Sequence, residues 1–372
     1  MKLLFINTLY PEMINSSLDG IEIDKYSYNS LIDLINNSLC GDCNFYSKHL
    51  TDIGFDALDI YYGCDFLDKR WESEYGNNGY VSTIYNQIDF YKPDVVYFQN
   101  IALLDANLYS FIKDRNLKIV GQIASPIPPN CNIGNFDIII SSFPHFVKEF
   151  RSQGITSYYI KLAHEASLAS KYNIERDIDC SFIGSLTPDH SNRIKFLNKI
   201  SNYIPELKIW GKGYDFLPKG NSILNKYQGE AWGSNMFEIL SRSKITLNIH
   251  IDESSHFANN MRLYEATGQG AMLITDYKEN LNDIFDIGDE VVAYKSFDEC
   301  ILLLRYYLNN ISECNKIAAS GQSKTISTHS YAQRMRELGD ILNLHFKKQK
   351  ETDVVDVSNI QSRYIEIDKN SV

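Results

Sequence analysis

Short apolar runs alternate with longer amphipathic segments along most of the chain. The runs hold Val, Ile, Phe and Tyr at successive positions rather than at every second one. This pattern is expected of strands that helices cover on both faces of a sheet. The alternation therefore predicts βα units with parallel strands. The predicted strands are 2–7, 94–99, 118–124, 137–141, 179–184, 207–210, 244–250, 271–275 and 290–294.

The strand pattern is interrupted once, over 163–177, where charged residues replace the apolar runs. A chain of 372 residues is longer than one hydrophobic core usually supports. We therefore predict two doubly wound α/β domains that face a cleft, over 1–165 and 166–347. The second ends in helices at 300–308, 313–320 and 331–346. After 347 the sequence becomes polar and aperiodic, which predicts a loosely ordered tail over 348–372.

Composition narrows the class of protein. Hydrophobic residues make up 44% of the chain and charged residues 22%, as in ordinary globular proteins. No apolar run has the roughly 18–20 residues of a membrane span, and Pro11 and Glu12 come too early for a signal peptide. The seven cysteines are scattered, which does not suggest a disulfide framework. We expect a cytoplasmic protein without a membrane span.

The net charge of −11 makes nucleic acid an improbable partner, because binding phosphates needs clustered Lys and Arg. Cys40 and Cys43 form a CxxC pair, but a structural zinc site needs four ligands and no second pair follows. The pair is therefore interpreted as coincidental.

The stretch 250–276 has the pattern of a ligand site: strand, polar loop, short helix, glycine turn and strand. In doubly wound domains, ligands bind where strand ends meet helix N-termini. Asn259 or Asn260 would cap this helix. Arg262 and Glu265 would share one helix face, offering a cation to a diphosphate and a carboxylate to vicinal ribose hydroxyls. The alternative is an intrahelical salt bridge on a solvated face.

Three further elements extend the predicted donor site. Gly268 ends the helix and lets the backbone approach the next strand, although a plain helix cap explains it as well. Gly184 and Ser185 end a strand, and their amides could bind phosphate with Arg193 as the counter-charge. An ordinary turn with a surface arginine is the alternative. Lys212 lies in a glycine-rich loop that could bracket a nucleobase. No complete GxGxxG or GxxxxGK[ST] motif occurs.

In the first half, polar residues follow two predicted strands and should line the rim of the cleft. Ser125 and Ser141 are the acceptor-side candidates. His145 is the candidate catalytic base, because the unperturbed pKa of histidine lies near neutrality. A packing or surface role for His145 is the alternative.

Several phrases together resemble the bacterial glycosyltransferases that are similar to the spore maturation protein CgeB, a group 1 glycosyltransferase family. The phrases are GQIASP at 121–126, SSFPHF at 141–146, SFIGSL at 181–186, KITLNIH at 244–250, NMRLYEATGQGAMLITD at 260–276 and SGQ at 320–322. They extend over roughly residues 40–340. The 260–276 phrase is the specific one, and the others support it.

The resemblance implies a GT-B fold of two Rossmann-like domains, with the nucleotide-sugar donor in the second domain and the acceptor in the first. Glu265 matches the glutamate that holds the donor ribose in related transferases. Many retaining relatives have another glutamate eight positions earlier, where this chain has Phe257. The stereochemistry therefore stays open. No DxD follows a strand, since Asp177 and Asp179 precede one, so no metal cofactor is expected.

The sequence thus predicts a glycosyltransferase that acts without a metal ion. Its expected donor is a nucleotide-sugar, with UDP-sugars preferred over GDP- or dTDP-sugars, and its expected acceptor is a bacterial surface glycan. An association with membrane-bound glycan machinery fits this role. The alternatives are a nucleotide-sugar epimerase and a non-catalytic module that binds nucleotides or glycans.

Overall fold

A computed structural model of the protein describes residues 1–172 and 174–347. Within the first of these ranges, six parallel strands form one sheet in the order β2-β1-β3-β4-β5-β6. The strands are β1 (Lys2–Asn7), β2 (Asp56–Tyr61), β3 (Val95–Phe98), β4 (Lys118–Ile123), β5 (Ile138–Ser141) and β6 (Ser157–Tyr159). The helices are α1 (Pro11–Leu18), α2 (Tyr28–Asn37), α3 (Phe45–Asp52), α4 (Asp65–Tyr75), α5 (Thr83–Tyr91), α6 (Ala106–Asp114) and α7 (Pro144–Ser152).

Within residues 174–347, five parallel strands form a second sheet in the order β11-β10-β9-β7-β8. The strands are β7 (Ile178–Ile183), β8 (Leu207–Trp210), β9 (Ser243–Asn248), β10 (Met272–Asp276) and β11 (Val292–Tyr294). The helices are α8 (Ser191–Ile200), α9 (Gly233–Arg242), α10 (Met261–Gly268), α11 (Phe297–Asn309), α12 (Ile311–Thr328) and α13 (Tyr331–Phe346). The expected architecture of two doubly wound domains with C-terminal helices is confirmed.

All nine predicted strands are present, but the prediction missed β2 and β6. Both lie at the edges of the first sheet. β2 begins with an exposed Asp56 and carries a second aspartate, so it lacks the continuous apolar run that marks a central strand. β6 has three residues, too few to show a periodicity. Edge strands are buried less completely than central ones, and their sequences carry a weaker signal.

The chain passes from the first sheet to the second between Tyr159 and Ile178, which brackets the predicted connection. The exact boundary at 165 stays a prediction, and the predicted tail over 348–372 lies outside the described residues. None of the described helices is long and apolar enough to cross a membrane.

The last helix joins the two domains. The backbone around its start pairs with the connecting segment, since the Tyr331 amide donates to His164 O at 3.0 Å. From there α13 packs on α3 of the first domain. A Cβ at Gly339 would lie 2.9 Å from the Ile53 Cδ1 atom, so glycine permits the close approach. The rings of Phe45 and Tyr331 are 4.9 Å apart at the same junction. The last helix therefore packs on the first domain, although it follows the second sheet in the chain.

Candidate functional site

A cavity of about 590 Å³ lies between the domains, where loops after β1, β7, β8 and β9 converge. Carboxyl ends of parallel strands meet at one edge of a sheet, so this is the edge at which doubly wound domains bind ligands. Of the predicted donor-site residues, the cavity wall contains Gly184, Ser185, Arg193, Lys212, Asn260, Arg262 and Glu265. The structure therefore brings these seven residues together on one wall, and their role in donor binding stays a prediction.

Two glycine loops form one side of the wall. The Gly184 amide donates to Trp210 O at 3.0 Å, which joins the loop after β7 to the loop after β8. A Cβ at Gly211 would lie 1.8 Å from the Gly184 carbonyl oxygen, so only glycine allows the two backbones to come so close. The Ser185 hydroxyl lies 2.9 Å from that of Thr187. The result is a closely packed pair of loops beside the cavity.

Arg193 lies inside the protein rather than on the surface, since it is only 8% exposed. Its Nη2 donates to Ile249 O at 3.0 Å and its Nη1 to Ser185 O at 3.3 Å, which fixes the guanidinium between two loops. Its Nε is buried and has no hydrogen-bond partner among the described residues. Burial lowers the pKa of Arg193 to about 10, so the side chain is still a cation at neutral pH. The interpretation of Arg193 as an ordinary surface residue is wrong.

The helix α10 begins at Asn260, whose Oδ1 accepts a hydrogen bond from the Arg262 amide at 2.8 Å. Of the two candidate caps, Asn260 is therefore the one used. Arg262 Nη1 lies 2.8 Å from Glu265 Oε2, so the ion pair exists. Both side chains are only 12–13% exposed, and the pair lines the cavity instead of a solvated face.

The ion pair with Glu265 does not satisfy all the N–H donors of Arg262. Arg262 Nε and Nη1 are buried and make no hydrogen bond with correct angles to any described residue. Burial raises the pKa of Glu265, an effect that the charge of Arg262 opposes and that of Asp42 reinforces. Together with Arg193, the helix thus presents a second cation to the cavity. Two buried cations with unsatisfied N–H groups are suited to an anionic ligand.

The sequence did not single out Asp42, which lies on the opposite wall in the first domain. Asp42 lies between Cys40 and Cys43, and only the two cysteines of this CxxC form a recognisable sequence pattern. Its Oδ1 accepts a hydrogen bond from the Tyr331 hydroxyl at 2.7 Å. Burial raises the pKa of Asp42. A half-buried carboxylate in the loop between α2 and α3 has no periodic signal, so only the tertiary structure reveals it.

An ion pair crosses the cleft beside the cavity. Lys212 Nζ donates to Glu12 Oε1 at 2.5 Å, which links the loop after β8 to α1 of the first domain. Tyr10 and Trp232 also line this region, with ring centroids 6.5 Å apart. Lys212 Nζ lies 5.8 Å from the centre of the Tyr10 ring. The aromatic rings and the ion pair enclose the mouth of the cavity from both domains.

Two predicted donor-site residues are not on the cavity wall. Gly268, at the end of α10, packs against the connecting segment, where an added Cβ would lie 2.3 Å from His164 Cδ2. Its role is thus close packing, which corrects its assignment to the donor wall. Asn259 precedes the cap and is half-buried, and it also lies outside the cavity lining.

The two acceptor-side candidates and the candidate base also lie off this wall. Ser141 is fully buried, donates to Ile123 O at 2.8 Å and accepts from the Phe143 amide at 3.1 Å, so it shapes the turn after β5. Ser125 is exposed in the loop after β4. His145 is half-buried in α7, and its ring stacks on Phe257 of the second domain at a centroid distance of 5.3 Å.

The environment of His145 favours the neutral imidazole. Burial lowers the pKa of His145, and Glu149 only partly opposes this. Its Nδ1 is buried and finds no hydrogen-bond partner among the described residues. The catalytic role assigned to His145 stays a prediction. Among residues 1–172 and 174–347, no group of three or more His, Cys, Asp or Glu is arranged to hold a metal ion.

Comparisons with known proteins agree with this architecture. Residues 193–340 match a protein family described as glycosyl transferase-like. A glycosyltransferase from Rickettsia africae is 12% identical, with a TM-score of 0.60 over 94% of this chain and 99% of that one. HepE from Anabaena, solved in complex with UDP-glucose, is 10% identical with a TM-score of 0.60 over 92% of this chain and all of that one.

The same fold occurs in a UDP-N-acetylglucosamine 2-epimerase, which is 9% identical with a TM-score of 0.52 over 95% of this chain and 98% of that one. No sequence among the curated proteins matches the chain. At such identities the structural likeness establishes the fold alone. The chain thus has the two-domain GT-B fold, and its residues 193–340 form a glycosyltransferase-like domain.

Proposed function

We propose that the protein is a cytoplasmic glycosyltransferase that moves a sugar from a nucleotide-sugar to a glycan acceptor in bacterial surface polysaccharide synthesis. One observation carries the proposal: the buried Arg193 and the partly buried Arg262 line one cavity wall, and the Nε of each is buried without a hydrogen-bond partner among the described residues. Such groups are costly unless an anion binds them. A diphosphate supplies that charge.

We propose that the parts of a nucleotide-sugar lie in order along this wall. The diphosphate would lie against Arg193, Arg262 and the backbone of the Gly184–Ser185 loop. Glu265 would accept hydrogen bonds from the ribose hydroxyls, three residues along the same helix from Arg262. The nucleobase would lie beside Gly211 and Lys212, near Trp232. HepE was solved with UDP-glucose, which supports a UDP-sugar as the first donor to test.

In the transfer, an acceptor oxygen forms a bond to the anomeric carbon while the bond from that carbon to the diphosphate breaks. The electron pair of the broken bond stays on the diphosphate, and the acceptor hydroxyl gives its proton to a base, the role proposed for His145. Arg193 and Arg262 would stabilise the negative charge that develops on the leaving group, because fixed cations in a cavity need no reorganisation at that moment. We propose that the reaction needs no metal ion.

The first experiment screens UDP-, GDP- and dTDP-sugars for release of the nucleoside diphosphate, with and without excess EDTA. We expect one donor to be hydrolysed slowly without acceptor and faster with it, at a rate that EDTA does not change. Loss of turnover in EDTA that Mg²⁺ or Mn²⁺ restores would overturn the metal-free part. NMR of the product decides between retention and inversion.

The same screen separates the alternatives. An epimerase would return an isomerised nucleotide-sugar and need no acceptor. A binding module would give a thermal shift with nucleotides but no release of nucleoside diphosphate. Either result would contradict the proposed transfer, and the second would leave the nucleotide site in place.

A further inference from the structure

Asp42 lies in a loop with unusual backbone geometry. Leu39, Gly41 and Cys43 all have positive φ angles, of 61°, 66° and 46°. Non-glycine residues seldom adopt this region and do so where the surrounding structure enforces it. The loop enters α3, and its Gly41 and Asp42 form part of the cavity wall in the first domain. The geometry therefore brings a carboxylate to the cavity at a cost in backbone energy.

The second domain holds this loop in place. The Ser234 amide, at the start of α9, donates to Ser38 O at 2.9 Å. Gly233 approaches so closely that an added Cβ would lie 2.1 Å from the same oxygen. Tyr331, which is 4% exposed, donates its hydroxyl to Asp42 Oδ1 at 2.7 Å. Asp42 is thus positioned by residues of both domains.

Tyr331 binds only one of the two carboxylate oxygens of Asp42. No described residue donates a hydrogen bond to Oδ2, and no described Lys, Arg or His forms an ion pair with Asp42. Glu265 lies on the opposite wall, near enough for the charge of Asp42 to raise its pKa. The cavity therefore presents two acceptor-only carboxylates, one from each domain. A ligand between them must supply hydroxyl donors rather than a further negative charge.

We propose that Asp42 of the first domain accepts a hydrogen bond from one of the two vicinal ribose hydroxyls that Glu265 contacts from the second domain, and that Asp42 thereby strengthens the selection of ribonucleotides over deoxyribonucleotides. This rests on the proposed function, because it takes a nucleotide-sugar as the ligand. The ribose of a nucleotide adjoins its phosphates, as Glu265 adjoins Arg262 on α10. Asp42 supplies the hydrogen bond from the first domain, so the bound nucleoside connects the two walls. A dTDP-sugar lacks one of the two hydroxyls and would bind less well.

The test is isothermal titration calorimetry on the full chain with UDP and GDP and with the 2′,3′-dideoxy form of each. For the better-binding base, we expect the wild-type protein to prefer the ribonucleotide by about 100-fold or more, since two hydrogen bonds to charged groups are lost together. In Asp42→Asn the preference should fall by about 10-fold or more. The matched control is Asp114→Asn, which removes the same charge from an exposed position at the end of α6.

Tyr331→Phe gives a second variant that removes only the hydrogen bond to Asp42. It should weaken ribonucleotide binding and leave dideoxynucleotide binding unchanged. If wild type binds the ribonucleotide and the dideoxynucleotide with equal affinity, this result alone overturns the proposal. A preference in Asp42→Asn equal to that of wild type also overturns it, and loss of turnover with unchanged nucleotide affinity would place Asp42 on the acceptor instead. Absence of all nucleotide binding to wild type would overturn the proposed function itself.

Discussion

The imidazole ring of His145 stacks on the phenyl ring of Phe257, with centroids 5.3 Å apart and ring planes inclined by 13°. His145 belongs to the first domain and Phe257 to the second, so this stack is a direct contact between them. Phe143 and Phe146 contact the other sides of the imidazole, at centroid distances of 5.0 and 4.8 Å. The residue that interrupts the two-glutamate pattern of many retaining relatives is thus part of an aromatic cluster.

Two substitutions at His145 separate a catalytic role of the imidazole from its packing in this cluster. His145→Phe keeps a flat ring and removes the nitrogen atoms, so we expect it to lower kcat by about 10²–10⁴-fold, the usual cost of losing a general base. His145→Ala also removes the stack and should lower the free energy of unfolding by about 1–3 kcal/mol. Steady-state kinetics and urea unfolding of both variants distinguish a catalytic role of His145 from a packing role. A large loss of kcat in the stable phenylalanine variant would establish the catalytic role.

The cationic wall predicts a loss of nucleotide affinity in Arg262→Ala. Removing a charge-assisted hydrogen bond costs about 1.5–3 kcal/mol, which corresponds to about 10–100-fold in Kd. Calorimetry with the nucleoside diphosphate measures it. Arg305→Ala serves as the control, because Arg305 is an exposed arginine on α11. Equal affinities in Arg262→Ala and wild type would leave only a buried ion pair at this position.

The close approach of Gly211 to Gly184 predicts that Gly211→Ala lowers both the stability of the protein and its affinity for nucleotide. The new methyl group would lie 1.8 Å from a backbone oxygen, which cannot move aside as a side chain can. We expect a loss of about 3 kcal/mol or more in unfolding free energy, together with weaker nucleotide binding as the Gly184 loop shifts. Gly220→Ala is the control, since its φ is also positive but nothing lies within 4 Å. That variant should lose only about 1–2 kcal/mol and bind normally.

Glu165 predicts a pH dependence of stability at the connection between the domains. Burial opposes its ionisation, but hydrogen bonds from His49 at 2.6 Å and Ser167 at 2.6 Å outweigh burial and lower the pKa of Glu165 to about 2. A carboxylate with a depressed pKa stabilises the fold above its unfolded pKa of about 4.3, and this contribution disappears as the pH falls from about 5 to 2.

Glu165→Gln should therefore be less stable than wild type at pH 7, by about 2–3 kcal/mol, and the difference should shrink towards pH 3. Urea unfolding at several pH values measures the two curves. Glu206→Gln, an exposed position in the second domain, should show no such convergence. Parallel curves for Glu165→Gln and wild type would contradict the assignment.

The sequence predicted most of the cavity wall that comes from contiguous motifs. Arg262 and Glu265 lie on one short helix, and Gly184, Ser185 and Arg193 lie within one strand-to-helix connection, so local spacing determines their neighbourhood. Asp42 could not be predicted, because its hydrogen-bond partner Tyr331 is 289 positions away in the sequence. The same holds for the stack of His145 on Phe257, which depends on how two separately folded domains meet. Periodicity describes single elements, and it contains no information on such contacts.

The close packing of Gly268 against His164 has a mechanical consequence. Gly268 ends the helix that carries Arg262 and Glu265, and His164 belongs to the segment that joins the domains. The helix that carries Arg262 and Glu265 is therefore packed directly against the segment that joins the two domains. Any side chain at position 268 would collide with His164 and displace this helix, and with it both charged groups of the cavity wall.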